Sequence, residues 1–439
     1  MCVRSVMIPL LWLCTDLLRD ASHADRQRPV HGLHDLLAPP PSVVSARLGA
    51  RSAAEGSGQM VRVARAEQAV GTGGQHGLVA AIDARPRPIQ FQLDDLDHPG
   101  ASARYLSPLR YPGAKAGLNR VLQQLLANAD ALLAREVDLL VEPFAGGASA
   151  SLHMLANGAV KRALLADADP MVSSFWQVAA AQTEPLIARM MEEHHDFVAP
   201  GGDTALDRWD YWKSWTPRAG MRRGSERFEL AVKCLFLNRT TFSGILHGRA
   251  GPLGGRSQAS VYTIGCRFSP DALAERLRLV GHLYDTGRIL DVWCSDWRVT
   301  LDEVASRYKT LLPDNVVAYL DPPYFEKSER LYALPEASKG FDHIRLADYL
   351  RESARYRWIL SYDHHPELLQ ASHFGFHRMR SNPLFGVHGW PVSKRLVTLN
   401  YTASSGRGRG PKQELLLTTL PPSAVPTDGP FQPLPGEVE

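Results

Sequence analysis

The chain has 439 residues, 44% of them hydrophobic and 22% charged, and its 49 Lys and Arg against 46 Asp and Glu leave a net charge of +3. That composition excludes a fibre and a wholly disordered chain, and the length allows roughly two or three cores. Five scattered cysteines (Cys2, Cys14, Cys234, Cys266 and Cys294) form no C-x-x-C pair, which excludes a disulfide framework and a structural zinc site and favours a reducing, cytoplasmic setting.

No run approaches the eighteen or so apolar residues of a membrane span. The stretch Val6 to Cys14 imitates a secretory signal, but Asp16, Arg19 and Asp20 follow it where such a signal is uncharged. Residues 1–104 contain no lysine, carry Pro39-Pro40-Pro41 and Gly71-Thr72-Gly73-Gly74, and keep no period of 2 or 3.6. They read as a disordered leader, or as sequence ahead of a later start such as Met60.

From residue 105 the pattern changes. Val137 to Phe144 reads as a buried strand, followed by Arg162 to Asp167, Arg288 to Trp293, Asn315 to Leu320 and Arg357 to Tyr362. Helical stretches such as Leu118 to Ala134 and Leu346 to Arg355 lie between or beside them. Alternating strands and helices imply an α/β fold with a mostly parallel sheet covered on both faces. Residues 181–285 break the rhythm and read as an insertion between a first part, 105–180, and a second, 286–420. The proline-rich end, 421–439, reads as a disordered tail.

Two constellations could carry chemistry. Val141-Glu-Pro-Phe-Ala-Gly-Gly-Ala-Ser149 follows a strand, and Asp167 ends the next one. Glycines admit a ligand close to the backbone, and an acid about 20 residues on can accept from ribose hydroxyls. The second is Asp321-Pro-Pro-Tyr324 after a buried strand. Two prolines remove amide donors and leave carbonyls as acceptors, so an amino group on a flat ring, held by Asp321 and the Pro322 carbonyl and stacked on Tyr324, is the natural occupant.

Together with Arg110-Tyr-Pro-Gly-Ala-Lys115, Leu237-Asn-Arg-Thr-Thr-Phe-Ser-Gly244 and Ser361-Tyr-Asp363, these motifs resemble in order those of the D12 class of Dam-like DNA adenine N6-methyltransferases. The resemblance implies a Rossmann-like class I methyltransferase sheet with an inserted, mainly helical target-recognition domain. It also implies S-adenosylmethionine as cofactor, held by Tyr111, Lys115, Phe144, Gly146, Asp167, Asp296 and Asp321. Asp321, Pro322, Pro323 and Tyr324 become the catalytic set, acting on a flipped-out adenine in double-stranded DNA. A cognate restriction endonuclease is a possible partner, and a monomer is expected. Cytosine N4, RNA, and a silent DNA-binding protein are the alternatives; the last is motivated by Ala114 and Ala148, where the family often has glycine.

Charge is unevenly spread. Residues 230–270 hold five basic and no acidic residues, and 368–413 hold seven and none, leaving 37 basic against 46 acidic elsewhere. Two basic segments on an acidic background suit a phosphate-tracking surface. Arg239, Arg249 and Arg256 in the first, and Lys394, Arg395, Arg407 and Arg409 in the second, are the candidate DNA contacts. Trp209 and Trp212 at helical spacing read as core. The clusters His194-His195-Asp196 and Asp363-His364-His365 lack ligand spacing, and no metal is expected.

Overall fold

The computed structural model describes residues 106–110, 117–323, 341–363, 390–401 and 410–434, all within one compact unit spanning 84–439. The leader expected at 1–104 lies outside the described residues.

An eight-stranded sheet organises this unit. Its strands are β1 (Leu139–Glu142), β2 (Arg162–Asp167), β3 (Ile289–Cys294), β4 (Val316–Leu320), β5 (Arg357–Asp363), β6 (Ser393–Tyr401), β7 (Gly410–Thr418) and β8 (Phe431–Gln432). They lie in the order β3-β2-β1-β4-β5-β7-β6-β8. The first five are parallel, and β7 runs antiparallel between β5 and β6. Strand order reverses between β1 and β4, and in open α/β sheets ligands bind beyond the C-terminal strand ends at such a switch point.

The five expected strands are present with ends shifted by at most two residues. Strands β6 to β8 extend the sheet beyond them. Residues 421–434 correct the expectation of a disordered tail: Pro422–Ala424 form a 3-10 turn, and Phe431, 1% exposed, sits in β8 against β6.

Alternation along the strands divides the core. Leu140, Leu165, Val317, Tyr319 and Ile359 face one layer, shared with α1 (Leu118–Leu133), α2 (Ser149–Ala156) and α3 (Pro170–Ala181). Val141, Ala166, Ala318, Leu320 and Leu360 face the other, shared with Trp297, Leu301 and Val304 of one helix and with Leu346 and Leu350 of another. Local signals set these helices. Asp169 caps α3 ahead of Pro170 at its first turn. Asp342 accepts from the Arg345 N–H at 2.9 Å and starts a helix at His343, three residues earlier than its apolar period suggested.

The interval 181–285 is helical, with α4 (Thr183–Glu193), α5 (Gly202–Ser214), α6 (Arg223–Thr240) and α7 (Pro270–Asp285). Its apolar residues join the first core layer rather than forming a separate one. Trp209 and Trp212 are buried as expected, their indoles donating to Thr241 Oγ1 at 3.0 Å and Glu193 Oε2 at 3.1 Å. After β3, α8 (Trp297–Arg307) and then α9 (His343–Glu352) cover the second layer. Among the described residues no helix is long and apolar enough to cross a membrane.

Candidate active site

Because side chains alternate along a strand, residues in phase with Leu140, Leu165, Val317, Ile359 and Leu416 share the first face. Asp167, Glu142, Asp321, Asp363 and Glu414 are all in that phase, on or directly after β2, β1, β4, β5 and β7. Those strands are neighbours in this order, and Asp363 is paired with Glu414. Five carboxylates therefore form a row along the C-terminal edge of the parallel strands, on one face, across the switch point.

Their holders differ. Asp167 accepts from the Gly146 N–H at 2.8 Å and the Asp169 N–H at 2.9 Å. Burial nevertheless lifts its carboxyl to about 7, with Asp169 adding to the effect. Asp321 Oδ1 accepts from the Ser361 hydroxyl at 3.2 Å. Ser361 has one proton to give, so the Tyr319 hydroxyl, 3.0 Å away, donates to Ser361. Burial keeps the Tyr319 phenol protonated for that role. Asp363 Oδ1 is buried with no hydrogen-bond partner among the described residues.

The loop after β1 approaches closely. Gly146 has φ 44° and its carbonyl accepts from the Trp176 indole at 2.8 Å. Ala148 takes φ 46°, the left-handed conformation that costs a residue with a Cβ about 1–2 kcal/mol. Phe144 is half-buried, edge-to-face with Phe341 at 5.5 Å. The structure thus brings Phe144, Gly146, Asp167, Asp321, Pro322 and Pro323 to one edge. Asp296 lies at the end of β3, where it caps α8 through the Arg298 N–H at 2.9 Å. Tyr111, Ala114, Lys115 and Tyr324 lie outside the described residues.

The segment preceding Tyr111 is fixed from α6. Asn238 accepts from the Arg110 N–H at 2.7 Å and donates to the Arg110 carbonyl at 2.8 Å. Gly244, at φ 73°, packs so closely on that carbonyl that a Cβ would collide with it. His247 pairs with Asp169, two residues from Asp167, tying the loop after α6 to the end of β2.

The described residues of the basic segments are mostly engaged elsewhere. Arg239 is 5% exposed and donates to the Pro108 carbonyl at 3.0 Å. Burial, with Arg276, Arg110 and Arg267 nearby, lowers its guanidinium to about 9. This corrects the expectation of a phosphate contact there, since a buried guanidinium cannot reach a duplex backbone. Lys394 is also buried, and Arg395 donates to the Pro426 carbonyl at 2.8 Å, so both serve the sheet rather than an open surface. Arg256 pairs with Asp210 through two hydrogen bonds of 2.6 Å. Arg249 is exposed with no partner among the described residues; Arg407 and Arg409 lie outside them. Sequence reasoning missed Arg218, Arg222, Arg223 and Arg227, exposed around the start of α6 without partners among the described residues. A count of arginines per segment was the available signal.

It also missed Glu142 and Tyr319, whose significance depends on which strands lie beside β1 and β4. Among the described residues no three His, Cys, Asp or Glu are placed to hold a metal. A row of carboxylates next to a glycine loop and a Pro-Pro turn suits a cationic ligand and amine hydrogen-bond donors. Residues 111–249 match the model of the D12 class N6 adenine-specific DNA methyltransferase family, from the segment before α1 to the loop after α6. No curated protein matches the chain.

Proposed function

Taking as premise the family match, which indicates an adenine-specific DNA methyltransferase, we propose that the chain transfers a methyl group from S-adenosylmethionine to N6 of an adenine flipped out of duplex DNA. The carrying observation is the carboxylate row at the switch point, with Asp321 and Pro322 at the end of β4 and the glycine loop at the end of β1. The buried Asp363 oxygen, without a hydrogen-bond partner among the described residues, and the positive φ at Gly146 and Ala148 fit a ligand that brings donors and approaches the backbone.

In this reading Asp167 accepts from the donor's ribose, and Phe144 and Gly146 line its loop. Asp296 lies on the adenine side, with Tyr111 and Lys115 beside them. When bound, S-adenosylmethionine supplies an electrophilic methyl carbon on a cationic sulfur. Asp321, aimed by Ser361 and Tyr319, and the Pro322 carbonyl accept from the target amino group. Their hydrogen bonds favour the pyramidal nitrogen whose lone pair attacks, so catalysis is positioning and electrostatics. Tyr324 stacks on the base, which must leave the helix because N6 is paired inside it.

Arg249, with Arg218, Arg222, Arg223 and Arg227, supplies phosphate contacts. Phe242, 62% exposed on the turn after α6, is an apolar side chain of the kind that fills the gap left by an extruded base. Asp321→Ala should lower methyl transfer to duplex DNA by at least about a hundredfold while leaving duplex affinity nearly unchanged. Turnover close to wild type would remove the assignment.

A further inference from the structure

Within the carboxylate row, Glu142 stands apart. It is 4% exposed and sits on the central strand of the three ending in Asp167, Glu142 and Asp321. Its Oε2 accepts from the Ser151 N–H at 3.1 Å, and among the described residues no cation acts on it. Among the described residues, the titratable groups around it are Asp321 and Tyr319 from β4 and Asp167 from β2, while α2 contributes Ser151. All three are acids.

We propose that Glu142 is the counter-ion of the methyl donor's cationic sulfur, and that donor binding is coupled to loss of one proton from this carboxyl. This role rests on S-adenosylmethionine being the donor. An isolated buried carboxylate is costly, and two neighbouring carboxylates make it more so. Burial raises the Glu142 carboxyl to about 8, and the charges of Asp321 and Asp167 act in the same direction against hydrogen bonding from Ser151. The ligand-free cleft therefore holds the proton at neutral pH, and a positive charge entering the row expels it. Methyl transfer breaks the S–C bond, leaves its electron pair on sulfur and forms the N–C bond, and the methylated nitrogen sheds one of its two protons to solvent. With a neutral thioether in place of the cationic sulfur, Glu142 takes a proton back from solvent, and the attraction that held the substrate is absent for the product.

Titration calorimetry of the full chain with S-adenosylmethionine and with S-adenosylhomocysteine, in phosphate and in Tris at pH 7, counts the protons exchanged. Close to one proton released by the former and clearly less by the latter is expected. Affinity for S-adenosylmethionine should rise about tenfold per pH unit from pH 6 to 7.5, and Glu142→Gln should flatten that slope. Equal proton release by the two ligands overturns the inference, as does wild-type release by a folded Glu142→Gln. The comparison of ligands on the wild type needs no variant. Saturable binding of neither ligand overturns the donor assignment itself, and the inference with it, so the two failures are told apart.

Discussion

Two charged regions of the molecule behave in opposite ways. At the C-terminal edge of the sheet, Glu142, Asp167, Asp321, Asp363 and Glu414 share one face of neighbouring strands, acid beside acid. In the helical interval, the buried and half-buried arginines are held by groups of the chain itself. Arg208 and Arg189 converge on Glu193, which is 1% exposed, Arg278 pairs with Glu184, and Arg239 is spent on a backbone carbonyl. The packed arginines are answered by acids or carbonyls of the chain, whereas Glu142, Asp167 and Asp321 of the row are answered by backbone N–H groups and a hydroxyl. The contrast makes the carboxylates, rather than the most basic stretch of sequence, the signature of the site.

The comparison can be broken most forcefully at the exposed arginines. Replacing Arg218, Arg222, Arg223 and Arg227 together by Gln should weaken duplex binding and reduce the slope of log affinity against log salt by about 0.9 for each phosphate that is no longer neutralised. An unchanged slope, measured by fluorescence anisotropy across salt concentrations, would return them to the bland surface. Arg239→Gln should do the reverse, costing roughly 2 kcal/mol of folding stability by denaturant titration with the salt slope intact. A changed slope at a wild-type denaturation midpoint would contradict its structural role.

The carboxylates make a pH prediction. Glu142 and Asp167 hold their protons in the folded state above the ordinary carboxylate range, at about 8 and about 7. Their contribution to stability is therefore full below the unfolded values near 4.5 and 3.8. It is lost as pH rises through 7 and 8. The melting temperature of the ligand-free protein should fall between pH 5.5 and 8.5, and Glu142→Gln should remove the upper part of that fall; a flat profile would place both carboxyls in a wetter environment. The smallest effect is expected at Ala148→Gly, which relieves a left-handed alanine and should stabilise by about 1 kcal/mol, read from the same denaturant titrations.

Much of the sheet was legible because parallel strands buried on both faces are continuous apolar runs. Val316 to Leu320 before Asp321-Pro-Pro, and Arg162 to Asp167, announce themselves. Strand β6 did not, since Ser393-Lys-Arg opens it with polar residues, and the prolines around 421–434 concealed Phe431 and its pairing with β6. The position of Asp321 was readable from its motif. That Ser361 and Tyr319 aim it was not, because the hydrogen bonds span two strands whose adjacency only the fold establishes. Arg239 misled for the same reason: its partner, Pro108, is far away in sequence. Asp296 shows the intermediate case, a strand-end acid that the family resemblance assigns to the cofactor and whose carboxylate caps α8.

The most direct measurement is methyl transfer from labelled S-adenosylmethionine to unmethylated duplex DNA, followed by nucleoside analysis of the product. N6-methyladenine formed by the wild type and absent with Asp321→Ala is the predicted result. Label in N4-methylcytosine, or none in DNA from a protein that binds both the donor and the duplex, would contradict it.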